Sequence, residues 1–81
     1  MLTRAKIRIL QLLAQETPLS ITEIARIMGT SRVNIYKHLK SLISEGYVKR
    51  IGRGVYVLTR KGREVVMQVT SSNFRAIIKG G

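Results

Sequence analysis

Two short helical patterns separated by a tight turn constrain the fold more than any other feature of this 81-residue sequence. They occupy Ile21 to Leu42, with only Gly29 to Ser31 between them. Ser20 and Glu23 match a capping box, in which each side chain accepts a hydrogen bond from a free backbone N–H, so a helix is predicted to begin at Ile21. Glycine ends a helix readily, and a hydroxyl side chain in the turn caps the next one. Such a corner sets the later helix at a steep angle to its support.

Cap and breaker residues place the neighbouring helices. Thr3 caps an earlier helix over Arg4 to Gln15, and Pro18 ends it because proline cannot continue a helix. The helix after the corner, third in the chain, runs from about Arg32 to Glu45, where Gly46 stops it. Three helices are therefore predicted before Gly46.

Beyond Gly46 the apolar pattern changes from helical to alternating. Two runs of β-branched and aromatic residues flank Gly52-Arg53-Gly54, which is a hairpin signal. Thr59 caps a last helix that starts at Arg60. The sequence predicts an α+β fold, mainly α with a small β-hairpin, in the order helix, helix, helix, strand, strand, helix, with room for a short extra strand near Leu19.

The length suits one hydrophobic core. We assign 1–70 to a single domain and 71–81 to a C-terminal tail or an extension of the last helix. No stretch approaches the roughly 20 apolar residues of a membrane span, and no signal peptide is evident. We therefore expect a soluble, cytoplasmic protein without a membrane partner.

The charge is strongly positive, with 15 Lys and Arg against 4 acidic residues and a net charge of +11. Nine of the basic residues and one Glu lie between Arg32 and Arg63, a net charge of +8 in one segment. A polyanion such as nucleic acid is the natural partner of such a segment, and a merely solvated face is the alternative.

Catalytic and metal chemistry have little support. The sequence contains no Cys, no Asp and a single His, His38, whose position near the core side of the third helix favours packing. No nucleophile, base and orienting group can be assembled from these residues, and one His makes no metal site unaided. We expect no enzyme activity, no metal and no cofactor.

The segment from Leu19 to Val66 resembles the winged helix-turn-helix domains of small MarR-like and ArsR-like prokaryotic transcription regulators, archaeal ones included. The "EIA" after Thr22, the "SR" and "HL" of the third helix and the "LTRKG" after the hairpin carry the resemblance. It implies a DNA-binding regulator with the third helix in the major groove. The clustered Cys and His of metal-sensing members are missing, as are long flanking helices around a drug pocket, so we expect no small-molecule effector.

The third helix carries the candidate DNA contacts opposite its apolar face. Asn can pair bidentately with adenine, Lys can reach guanine acceptors, and a small apolar group can touch a thymine methyl. Side chains at the helix N-terminus and flank suit phosphate. We assign base readout to Val33, Asn34, Lys37 and Lys40, and backbone contacts to Ser31, Arg32, Tyr36 and Ser41. Val33 as a scattered surface residue and Tyr36 as a cover for the core edge are the alternatives.

The hairpin and the last helix add further cations. Arg53 at the hairpin tip can enter a narrow minor groove, and Lys49 and Arg50 extend that reach. A solvated turn is the alternative for Arg53. Arg60 and Lys61 either contact the DNA backbone or solvate the helix start, where clustered cations are unfavourable without an anion.

The first helix carries more apolar residues than one core-facing stripe needs. We interpret the excess as a two-fold dimer seam shared with the C-terminal residues. The seam residues assigned are Leu2, Ala5, Ile9, Leu12, Phe74, Ile77 and Ile78. The alternative is a monomer whose tail packs on its own first helix.

Together these patterns predict a homodimeric, sequence-specific regulator that binds double-stranded DNA in the nucleoid. Two other functions remain open at this point. The same basic surface would serve a nonspecific architectural protein, and some winged helices bind proteins instead.

Overall fold

The computed structural model describes residues 2–69 and shows, within that range, four helices and three short strands. The predicted order is confirmed, including the extra strand near Leu19. The elements are α1 (Arg4–Gln15), β1 (Leu19–Ser20), α2 (Ile21–Met28), α3 (Arg32–Ser44), β2 (Val48–Ile51), β3 (Val55–Leu58) and α4 (60–69).

The corner between α2 and α3 is built from the caps that the sequence predicts. The Ser20 hydroxyl accepts from the Glu23 N–H at 3.1 Å, and the Glu23 carboxylate accepts from the Ser20 N–H at 3.0 Å. Gly29 ends α2 in the left-handed conformation, with φ of 68°, which costs glycine little. The Ser31 hydroxyl then caps α3 by accepting from the Asn34 N–H at 3.1 Å.

The three strands form one antiparallel sheet in the order β1-β3-β2. The short β1 pairs Leu19 with Tyr56, so the chain between α1 and α2 is tied to the hairpin. Arg50 pairs with the same Tyr56 from the other side. The half of β3 next to the turn is therefore paired with the segment that connects α1 to α2.

One hydrophobic core lies between the helices and the sheet. α3 contributes Ile35, Leu39 and Leu42, which are at most 1% exposed and lie on one helix face. The remaining core residues are Ile9, Leu10, Leu13, Leu19, Ile24, Ala25, Val48, Tyr56 and Leu58. Because the apolar face of α3 is buried in the core, the opposite face of the helix points outward.

The predicted dimer seam is wrong for Ile9, which is 0% exposed in the chain's own core and cannot contact a partner. Leu2, Ala5 and Leu12 are half-buried, and Leu2 and Leu12 pack partly against the core. The other assigned seam residues, Phe74, Ile77 and Ile78, lie outside the described residues, as does the tail assigned to 71–81. Much of the apolar excess on α1 thus serves the monomer's core.

No helix within the described range is both long and apolar enough to cross a membrane.

Candidate nucleic-acid interface

The outward face of α3 presents the side chains assigned to DNA contact. Arg32, Val33, Asn34, Lys37 and Lys40 are all exposed. Val33 is 66% exposed, although an isolated valine gains nothing from contact with water. They are exposed because the opposite face of α3 is buried in the core.

The N-terminal end of α3 holds Asn34 by a local contact. The Asn34 side-chain amide donates to the Thr30 hydroxyl at 3.0 Å. An amide NH₂ carries two hydrogens, so this bond leaves one donor and the carbonyl oxygen for a base edge. No acidic residue lies in the first turn of α3, and its backbone N–H groups therefore present an uncompensated positive end.

Ser41 differs from the expected outward phosphate contact. It is half-buried, and its hydroxyl accepts from the Lys6 ammonium at 2.7 Å. The bond joins α1 to α3 and brings a cation from α1 to the edge of the α3 surface. Sequence reasoning missed Lys6 because only tertiary packing brings a residue 35 positions away to Ser41.

The hairpin cations lie on two different faces. Arg53 is exposed at the tip, where Gly52 and Gly54 adopt φ of 55° and 66°. Arg50 lies on the α3 side of the hairpin, while Lys49 lines a cavity of about 490 Å³ on the opposite side, toward α1 and α4. Successive strand residues point to opposite faces, so Arg50 lies on the same side as the α3 surface and Lys49 does not.

Arg60 and Lys61 have partners within the chain. Arg60 pairs with Glu64 at 3.3 Å, and both side chains are highly exposed. The Lys61 ammonium donates to the Glu45 carbonyl oxygen at 2.9 Å and lies 4.7 Å from the centre of the Tyr47 ring. The predicted need for a phosphate at the start of α4 is therefore weakened, since intramolecular groups already compensate two of its cations.

Ile43 belongs to the α3 surface and was missed by sequence reasoning. It is 40% exposed and lies on the α3 side that faces the hairpin, with Tyr36 and Lys40. The spacing of positions 36, 40 and 43 places these side chains along one edge of a helix and was the signal available in the sequence.

Within residues 2–69, no cluster of three or more His, Cys, Asp and Glu could hold a metal ion. His38 is half-buried on α3. Hydrogen bonds from the Ser20 backbone N–H and then its hydroxyl lower the pKa of Glu23 below its usual value, which marks a helix cap.

Comparison with known proteins agrees with this architecture. The family model described as "Bacterial regulatory protein, arsR family" matches residues 3–50. The HTH-type transcriptional activator ArnR of Sulfolobus acidocaldarius is 32% identical over 80 residues, covering 96% of this chain and 30% of that protein.

Two solved structures are similar over most of the chain. The transcriptional regulator Tm0710 from Thermotoga maritima has a TM-score of 0.84 at 31% identity, covering 98% of this chain and 61% of that chain. A mutant MarR from E. coli, complexed with operator DNA, has a TM-score of 0.77 at 24% identity, covering 82% of this chain and 51% of that chain. The chain thus spans less than two thirds of each of these proteins.

The family match runs from the cap of α1 into β2 and includes the whole corner between α2 and α3. It covers more than half of the sequence, and the winged helix-turn-helix fold agrees with it. The chain belongs to the arsR family of bacterial regulatory proteins.

Proposed function

We propose that this protein is a sequence-specific regulator of transcription that binds double-stranded DNA, with α3 in the major groove and the hairpin against the minor groove or backbone. The observation that best supports this proposal is the exposed surface of α3, which includes Val33, Asn34 and Lys37. The buried residues Ile35, Leu39 and Leu42 lie on the opposite face. An α-helix fits the width of the major groove of B-DNA.

The chemistry of that surface suits base reading. Asn34 offers a donor and an acceptor to adenine, Lys37 offers donors to guanine, and the exposed Val33 offers an apolar contact to a thymine methyl. Arg32 and Ser31 lie where the backbone N–H groups of α3 would meet a phosphate and position the helix. The relatives support the assignment, since one is named a transcriptional activator and one solved structure holds operator DNA.

A nonspecific architectural role is the second candidate. The net charge of +8 between Arg32 and Arg63 would bind any duplex through its phosphates. The two roles use the same surface and differ in whether Val33 and Asn34 distinguish base pairs. We place the protein on the chromosome in the cytoplasm in either case.

A homodimer would supply the specificity that one domain lacks, because a single α3 reads few base pairs. Leu2, just before α1, and Ala5 and Leu12 on α1 are half-buried and remain for such a seam. Two symmetric copies would read an inverted repeat with half-site centres about 10 base pairs apart.

Competition binding tests the assignment. A duplex selected from random sequence and an unselected duplex are compared at one salt concentration, with wild-type protein and the Asn34→Ala and Lys37→Ala variants. Each variant should lower the preference for the selected duplex by about 1–3 kcal/mol, as loss of a base contact does. Arg53→Ala is the matched control, expected to weaken both duplexes equally and to flatten the salt dependence by about one unit.

Equal losses on both duplexes for Asn34→Ala and Lys37→Ala would favour the architectural role. Sedimentation of wild type and Leu12→Lys tests the dimer, since a buried unpaired cation should separate the two copies. A wild-type monomer at micromolar concentration that still binds one site specifically would contradict it.

A further inference from the structure

A small notch separates α3 from the hairpin and is unlike the rest of the outward surface. Its floor is formed by Leu39 and Tyr56, which are 1% and 5% exposed. Its α3 wall carries the exposed Tyr36 and Ile43. Lys40 on α3 and Arg50 on β2 also line it, and both are exposed. We call these six residues the α3–hairpin notch.

The notch has the wrong size for a small-molecule site. Its volume is about 140 Å³. Ligand pockets are usually about 300–1,000 Å³. The notch is therefore too small for a drug-sized ligand and suits only a small group such as a single sugar.

Neither packing in the core nor base reading explains why large apolar side chains are exposed in the notch. Ile43 is 40% exposed and Tyr36 is 53% exposed, beside two cations on opposite walls. An apolar floor between two positive charges is complementary to a group with an apolar middle and negative charges on both sides. A nucleotide sugar between its two phosphates has that form.

The expected path of the DNA backbone also points to a nucleotide sugar as the occupant of the notch. When α3 enters a major groove and the hairpin meets the adjacent minor groove, the strand that separates the two grooves must pass between them. The notch is the gap between those two elements. This step rests on the proposed function, because it assumes that a duplex occupies the α3 surface.

We infer that the α3–hairpin notch binds the sugar–phosphate backbone of one DNA strand, with a deoxyribose against Ile43 and Tyr36 and its flanking phosphates at Lys40 and Arg50. Lys40 then contacts backbone and not a base, which changes its sequence-based assignment. Ile43 becomes a DNA contact that carries no charge. Val33, Asn34 and Lys37 remain the base-reading residues.

The two kinds of contact should separate in a salt titration. The binding constant of the full chain is measured against salt on a duplex that holds a single half-site, so that assembly does not enter the measurement. Lys40→Ala and Arg50→Ala should each flatten the logarithmic salt slope by about one unit, as loss of one phosphate contact does. Ile43→Ser should weaken binding about fivefold with an unchanged slope, because it removes apolar contact only.

Charge reversal gives a stronger test with a matched control. Ile43→Glu places a carboxylate beside phosphate and should weaken binding at least about tenfold, on selected and unselected duplexes alike. Ile27→Glu is the control, since Ile27 is 48% exposed on α2, away from the notch, and should bind as wild type does. Both positions are exposed, and circular dichroism confirms that each variant folds.

Ribose substitution identifies the sugar. A single ribonucleotide is moved along one strand of the half-site duplex, and wild-type affinity should fall at one position, where the 2′-hydroxyl meets the apolar floor. The same substitution should cost Ile43→Ser less. Loss at one position in wild type and equal loss in Ile43→Ser would overturn the contact.

The notch and the function can fail separately. Wild-type binding to duplex with Ile43→Glu equal to Ile27→Glu would overturn the notch and leave the regulator intact. Lys40→Ala that lowers discrimination between duplexes without changing the salt slope would return Lys40 to base reading and also overturn it. Absence of any wild-type binding to duplex would overturn the proposed function itself.

Discussion

The two ends of α3 are held in different ways. At the N-terminal end the cap of Ser31 and the bond from Asn34 to Thr30 connect residues three or four positions apart. At the C-terminal end the partners are 13 to 16 positions away, since Thr59 donates from its hydroxyl to the Gly46 carbonyl at 2.6 Å and Lys61 donates to the Glu45 carbonyl at 2.9 Å.

The C-terminal end of α3 also meets α4 closely. The Thr59 N–H donates to the Tyr47 carbonyl at 3.1 Å, and the Thr59 hydroxyl accepts from the Gly62 N–H at 3.1 Å. A Cβ on Gly62 would lie 2.1 Å from the Tyr47 carbonyl oxygen, so only glycine fits there. We call Thr59, Lys61 and Gly62, with their partners at 45–47, the α3–α4 junction.

The difference indicates that the two ends of α3 have different roles. The C-terminal end is fixed to the sheet and α4, which sets the direction of α3. Within residues 2–69 the N-terminal end is exposed and its side-chain hydrogen bonds are local, as the proposed contact with a groove of DNA requires. The "LTRKG" segment therefore has a structural explanation, because its Thr, Lys and Gly form the junction.

Gly62→Ala should destabilise the α3–α4 junction more than any other single change considered for it. The added methyl group would overlap the Tyr47 carbonyl, and overpacking of this kind costs about 3 kcal/mol of unfolding free energy. Urea unfolding measures the loss. Arg63→Ala, at the next and exposed position of α4, is the control and should change stability by less than about 0.5 kcal/mol. A stable Gly62→Ala variant would show that the junction can open without cost.

Ser31→Ala and Thr59→Ala compare the two ends of α3. Ser31 caps α3 itself, whereas Thr59 caps α4 and also donates to the Gly46 carbonyl at the C-terminal end of α3. Loss of the Ser31 cap should cost about 1 kcal/mol. Thr59→Ala loses a cap and also leaves the Gly46 carbonyl without its hydroxyl donor, so we expect about 2 kcal/mol. Thermal or urea unfolding of the two variants in parallel measures both. Equal losses would mean that the bond to Gly46 adds nothing to the cap.

Lys61→Met tests whether Lys61 stabilises the α3–α4 junction or contacts the DNA backbone. Methionine keeps most of the apolar stem and removes the charge, so stability should fall by only about 0.5 kcal/mol. The salt slope of DNA binding should stay as in wild type because the ammonium is directed to the Glu45 carbonyl. A slope flattened by about one unit would restore the phosphate contact that the sequence suggested.

Glu23→Gln should have the smallest effect and tests the capping box at the N-terminus of α2. The pKa of Glu23 is lowered in the folded chain by its hydrogen bonds with Ser20, so the carboxylate stabilises the fold above the unfolded value near 4.5. That contribution should disappear as pH falls through the lower, folded value. Urea unfolding of wild type and Glu23→Gln from pH 7 to pH 3 should therefore show a smaller pH dependence for the variant. Identical pH profiles would remove Glu23 as the cause.

Local signals predicted much of the fold. The Ser20 and Glu23 box, the glycine at the end of α2 and the Gly52 to Gly54 turn each act within a few residues, and each lies where the sequence placed it. The exposure of Val33 and Asn34 was also predictable, because α3 has one apolar face and helical periodicity places these residues away from it. The base-reading roles given to them stay a prediction.

Other features depended on what lies across from each residue. Periodicity marked α1 as too apolar for one stripe, but only packing shows that Ile9 is enclosed by the chain's own core while Leu12 is half-buried. Alternation separates Lys49 from Arg50, yet the side that faces α3 is set by how the hairpin docks on the helices.

The elements, their caps and the outward face of α3 could be predicted from the sequence, because they depend on backbone preferences and on periodicity within one element. The partners of Lys61, the restriction on Gly62 and the notch between α3 and the hairpin could not be predicted, because they depend on how the elements pack. Those features are distances between atoms that are far apart in the chain, and hydrogen bonds and steric overlap change steeply over less than an ångström, which no local pattern of residue types records.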